Sequence, residues 1–142
     1  GKRPRITLTP TLVLKEGKPV LAISVAGGDL QDQTSLNMIL NHVEFGMLPE
    51  QAVTVPRFNT FHHQDSFDPN PDRAATVTGP GRMRVNKAVS DDVLRELEKR
   101  GHKISTTEGA IAYPVMIYID HGNKMIHAAG DPKAGRHAAA ID

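Results

Sequence analysis

Gly27 and Gly28 stand in the run Ser24-Val25-Ala26-Gly27-Gly28-Asp29, where an aliphatic stretch passes through two residues without side chains into a segment of helical period. Such a corner can do chemistry with its backbone alone. Glycine lets a partner approach the main chain closely, and the free N–H groups at a helix start point outward along the positive end of its dipole. That arrangement suits a negative oxygen. In acyl transfer two such donors stabilise the developing oxyanion, and losing one side-chain donor in a comparable site costs about 10²–10³ in rate. Taken alone, a Gly-Gly pair between strand and helix is more often only a turn.

A second cluster, His62-His63 with Asp65 close by, has residue types that ligate metals. Zinc sites draw their ligands from regular elements or from spaced loop positions. Adjacent histidines in a Pro- and Asp-rich segment read instead as solvated, so neither a metal nor another cofactor is expected. His42 lies beside an apolar stripe and reads as structural; His102, His121, His127 and His137 fall near turns or strand ends without a catalytic partner in sequence. Cysteine is absent, which removes disulfides, thiolate ligands and a Cys nucleophile within this chain but leaves the compartment open.

Several elements must position these residues. Thr11–Lys15 and Pro19–Val25 are β-branched and aliphatic runs joined by Glu16-Gly17-Lys18, which predicts a β-hairpin. The second run alternates poorly, so it is expected to be a central strand covered on both faces. Beyond the glycines, Leu36, Ile39, Leu40 and Val43 fall at i, i+3, i+4 and i+7 and predict the core-facing side of a helix, with Asp29 or Asp32 as its cap. Gly46 ends that helix, and Pro49–Val53 predicts a short second one, stopped by Pro56. The stretch 61–81, with Pro69, Pro71, Pro80 and many Asp and Asn, reads as a long loop or flap. Ser90 is the expected N-cap of a third helix carrying Val93, Leu94 and Leu97 and a Glu96–Arg100 pair, ended by Gly101. Strands near Val115–Ile119 and Lys124–Ala128 flank a tight turn at His121-Gly122-Asn123. The tail from His137 to Asp142 is weakly patterned and expected to fray.

These elements make an α+β chain with mostly antiparallel strands and flanking helices, and 142 residues suffice for a single domain with a core. With no Trp, four Phe and two Tyr, that core must be aliphatic. A formal charge of +1, its two signs interleaved, does not call for nucleic acid. No apolar run approaches the ~20 residues of a bilayer span, and no uninterrupted signal-peptide core follows the basic start.

The segments in order resemble the small-subunit end of the γ-glutamyltransferase family. Lys2-Arg3-Pro4 and Thr9-Pro10-Thr11 lead into "LVLKEGKPVLAISVAGG", then a helix, "EFGMLPEQAVTVPRF", "SDDVLRELEKRGHKI" and finally "AAGDPKAG", where Asp131-Pro132-Lys133 is similar to the family's Asp-Pro-Arg. The resemblance implies an N-terminal-nucleophile hydrolase, an α-β-β-α sandwich made as a self-cleaving precursor. Its catalytic Thr would lie upstream of Gly1, and a large subunit would supply the arginine for the substrate carboxylate. Gly27 and Gly28 are carried over as backbone oxyanion donors. This chain alone is therefore expected to be inactive, with the rest of the precursor as its partner and a γ-glutamyl or other acyl amide as substrate. The resemblance slightly favours a periplasmic or extracellular location.

Departures from the family concern the substrate. Where family members hold the α-carboxylate with two adjacent serines, this chain has Ile6, which offers only backbone, and Thr7, which keeps a hydroxyl. Asp29, following the glycines where better-known transpeptidases have Ser-Arg, joins them as a candidate substrate contact. The pattern is similar to the divergent γ-glutamyltransferase-like branch, in which acylase activity is open. As a fragment the chain is expected to expose apolar surface and to self-associate, a homodimer being one outcome. The competing reading is a non-catalytic module that uses the helix start for an anion or its sheet for another chain. Arg57, in Pro56-Arg57-Phe58, is read as a structural anchor.

Overall fold

The computed structural model describes residues 1–3, 6–77 and 79–139. Pro4, part of the leading motif, and the tail residues Ala140, Ile141 and Asp142 lie outside the described residues. In chain order the elements are β1 (Thr11–Lys15), β2 (Lys18–Ala26), α1 (Gln31–Val43), α2 (Pro49–Ala52), β3 (Phe58–Phe61), β4 (Gly79–Asn86), α3 (Asp91–Lys99), β5 (Lys103–Thr107), β6 (Tyr113–Asp120) and β7 (Met125–Gly130). Chain contacts gather into two compact units: Leu8–Val55 with Ala112–Asp142, and Gly1–Thr7 with Pro56–Ile111.

The larger unit is built on a four-stranded sheet of order β1-β2-β6-β7, antiparallel throughout. Glu16 and Gly17, with φ of 51° and 75°, turn β1 into β2, the two-residue geometry whose twist matches that of the strands. β2 is central, as its composition predicts. It is not covered on both faces: Leu21, Ile23 and Val25 are buried while Ser24 between them and Ala26 after them are exposed. The reason is that the helices pack on one side, α1 against β2 and α2 against β6 and β7. With Met38, Ala52, Val53, Ala112 and Met116 those three residues form the core.

Helix α1 differs from its expected orientation. Its buried positions are Gln31, Thr34, Ser35 and Met38, whereas Leu36, Leu40 and Val43 are 55%, 39% and 59% exposed. A 3-10 turn at Gly28–Leu30 precedes the helix and fixes its phase, so that small and polar side chains meet the sheet and most of the apolar stripe faces away. Neither Asp29 nor Asp32 occupies a cap position; Gly27 and Leu30 do, with no side-chain cap bond. Gly46 ends the helix at φ 64°, its amide donating to the His42 carbonyl (3.1 Å) and that of Met47 to Asn41 (3.0 Å).

The smaller unit holds a three-stranded sheet, β3-β4-β5, whose strands the sequence pattern misses. β3 and β4 are antiparallel, while β4 and β5 are parallel and joined through α3. Ser90 precedes α3 in extended conformation but makes no side-chain cap bond, and the Glu96–Arg100 pair forms at 3.0 Å. Between β3 and β4, successive side chains fold the chain locally: Asp65, Asp68, Asn70 and Asp72 each accept from the amide two residues on, at 2.8–3.1 Å. Arg73 donates to the carbonyls of Asp65 and Asp68. The ends of the expected loop belong to strands, Phe61 to β3 and Gly79 to Gly81 to β4.

Candidate functional site

The Gly27-Gly28 corner is where β2 becomes a helix. Gly27 has φ 155° and ψ 20°, and Gly28 has φ 59°, two consecutive conformations that residues with a Cβ enter at a cost. The Gly27 carbonyl accepts from Leu30 N (3.1 Å) and that of Gly28 from Gln31 N. Among the described residues, neither glycine amide donates to a main-chain acceptor in the turns and loops. Two adjacent N–H groups in such a turn form a concavity with fixed partial positive charge.

The surroundings hold the corner in place. A Cβ placed on Gly27 would meet the Ala112 methyl at 3.1 Å and Leu30 Cβ at 3.7 Å. Thr9 Oγ1 donates to Gln31 Oε1 at 3.5 Å, and Gln31 is itself buried, so the segment before β1 touches the beginning of α1. Asp29 is half-buried in the 3-10 turn. Ile6 and Thr7 belong to the smaller unit; Ile6 is 65% exposed and Thr7 half-buried.

Other sequence candidates have local structural bonds. His62 Nε2 accepts from the Gly81 amide at 2.9 Å, and among the described residues no three His, Asp or Glu side chains gather as metal ligands. Buried Arg57 donates through Nε to the Ile111 carbonyl (3.1 Å), while its amide donates to Asn86 Oδ1 (2.7 Å). Asp131, also buried, accepts from Lys133 N at 2.9 Å and opens a 3-10 turn at Pro132–Ala134. The preceding Gly130 is required there, because a Cβ would lie 2.6 Å from Arg136 Cβ. In the β6–β7 turn, Asn123 donates to both oxygens of Asp120 (2.8 and 3.0 Å). Those bonds, the side-chain one first, hold the Asp120 carboxyl below its ordinary value. Ala112 and Asn86 do not stand out in the sequence; small residues before a strand and an Asn at a strand end carry no distinctive signal.

A family model described as gamma-glutamyltranspeptidase matches residues 1–141. The chain belongs to that family. It is 34% identical over 141 residues to the glutathione hydrolase proenzyme of Bacillus subtilis (strain 168), covering 99% of this chain and 21% of that protein. The chain thus spans about a fifth of that relative's length. Its fold is similar to that of an acivicin-inhibited gamma-glutamyltranspeptidase, with a TM-score of 0.73 at 28% identity over 93% of this chain and 63% of that one. A cephalosporin acylase from Bacillus halodurans gives 0.71 at 25% identity, over 90% and 21% of the two chains. Gamma-glutamyltranspeptidase folds and an acylase relative therefore both match this arrangement of α and β elements.

Proposed function

We propose that this chain is the C-terminal part of a γ-glutamyltransferase-like amidohydrolase or acyltransferase, in which the amides of Gly27 and Gly28 bind the oxyanion formed during attack on an acyl amide. The nucleophile, a Thr exposed by self-cleavage, is borne outside this sequence, as is the large subunit. Together they complete an α-β-β-α sandwich. A Thr at a new N-terminus can use its own α-amine as general base, so the duty left to this chain is electrostatic. Preorganised donors act where charge develops and need no reorganisation at the moment of reaction.

One observation carries the reading: two successive positive-φ glycines whose carbonyls are taken up by the helix start, while among the described residues their amides find no main-chain acceptor in the turns and loops. Asp29, next to the glycines, is assigned to the acyl side of the substrate. Ile6 has no hydroxyl where the family's serines hold an α-carboxylate, so the donor is a γ-glutamyl or another acyl amide.

The test compares the chain alone with the chain joined to the rest of its precursor on a γ-glutamyl anilide. Only the latter should turn over. Gly27→Ala and Gly28→Ala keep the amides but strain the positive-φ backbone that aims them, so each should lower kcat, by at most the roughly 10²–10³ that outright loss of one oxyanion donor costs. Turnover by the isolated chain, or full activity in both variants, would refute the assignment.

A further inference from the structure

Ala112 has φ 57°. The other described residues with a side chain and positive φ, Glu16 and Lys124, lie in the turns between strands. Ala112 instead is 6% exposed and belongs to the core of the larger unit. Non-glycine residues persist in this region only where their surroundings over-determine them, and they concentrate at functional sites.

Its place in the sheet gives the conformation a purpose. The β2–β6 ladder ends at the pair Ala26–Tyr113, and the next residues outward are Gly27 on one strand and Ala112 on the other. A Cβ at Gly27 would stand 3.1 Å from Ala112 Cβ and 3.5 Å from Ala112 Cα. The methyl therefore fills the space a side chain on Gly27 would need. It thus forms a wall beside the Gly27 Cα.

We propose that Ala112 is a positioning residue for the oxyanion corner: its methyl, held in a left-handed conformation, fixes the direction of the Gly27 and Gly28 amides. The inference rests on the oxyanion reading given above. It predicts that stability and turnover respond in opposite directions at one atom. Ala112→Gly relieves the backbone strain and removes the wall, so the protein should melt no lower than the parent. Its kcat should nevertheless fall by roughly 10-fold to 100-fold with KM nearly unchanged, because a small misplacement of preorganised groups is felt in the transition state.

The experiment measures melting temperature, kcat and KM on a γ-glutamyl anilide for the complete precursor and for Ala112→Gly, Gly27→Ala, Gly28→Ala and Gly27→Ala/Ala112→Gly. Lower kcat at retained stability in Ala112→Gly, with the double variant regaining part of the activity lost in Gly27→Ala, supports the assignment. Parental kcat in Ala112→Gly while both glycine variants fail overturns the role of Ala112 and leaves the oxyanion reading standing. Parental kcat in both glycine variants removes the oxyanion reading and this inference with it. A lower melting temperature or failure to fold in Ala112→Gly also overturns it, since the methyl would then be ordinary packing.

Discussion

Asn86 illustrates how much one side chain can organise in the smaller unit. Its Oδ1 accepts from the Arg57 amide (2.7 Å), its Nδ2 donates to the Gly109 carbonyl (3.0 Å), and its own amide donates to the Arg57 carbonyl (2.9 Å). Three stretches distant in sequence are thereby tied at the end of β4. Replacing Asn86 with Ala strands one donor and one acceptor, and should destabilise the unit by about 1–3 kcal/mol. Asn86→Asp keeps the acceptor and should cost less; urea unfolding of both variants checks the ranking. At this scale the sequence was readable at Gly27 and Gly28 and unreadable at Ala112. Glycine announces unusual backbone by its type, whereas a left-handed alanine is imposed by tertiary packing.

At the scale of elements, the β6–β7 turn depends on an ionised carboxylate. The Asn123 side chain and amide, then the Gly122 amide and the charge of His127, lower the Asp120 pKa from 3.8, outweighing the smaller upward effect of desolvation. Because the folded value is depressed, the stabilisation is complete above the ordinary carboxylate range and is lost as pH falls through the lowered value. In an NMR titration the Asn123 amide should follow Asp120 with a midpoint below 3.8; a midpoint at or above it would remove the hydrogen bonds from the account. Both hairpins of the larger unit were legible because turn residues punctuate β-branched runs. β4 and β5 were not: Gly79-Pro80-Gly81-Arg82 reads as a breaker, Lys103–Thr107 has one aliphatic residue, and their parallel pairing is formed across a helix. The orientation of α1 departs from the one its periodicity predicts because its buried side is mostly polar, Gln31, Thr34 and Ser35 beside Met38. A periodicity argument assigns the apolar side to the core by default.

Over the whole chain, two apolar surfaces of the larger unit lie open. One is the outer side of α1, with Leu36, Leu40 and Val43. The other is the sheet face opposite the helices, a shallow cavity of about 330 Å³ lined by Leu12, Ala22, Val115 and Ile117 among others. Exposed patches of this kind favour association. The isolated chain is expected to give a concentration-dependent mass by light scattering, and Leu12→Lys with Ile117→Lys should shift it toward monomer. A monomer at all concentrations before substitution would count against this. The pairing of β2 with β6 has its own consequence for biosynthesis. Val25 must wait for Pro114, 89 positions later, and at 5–20 residues per second the ribosome needs roughly 4 to 18 s to deliver it. Throughout that interval the nascent hairpin carries a bare central-strand edge, so chaperone capture or premature pairing with a neighbouring polypeptide competes with completion of the sheet.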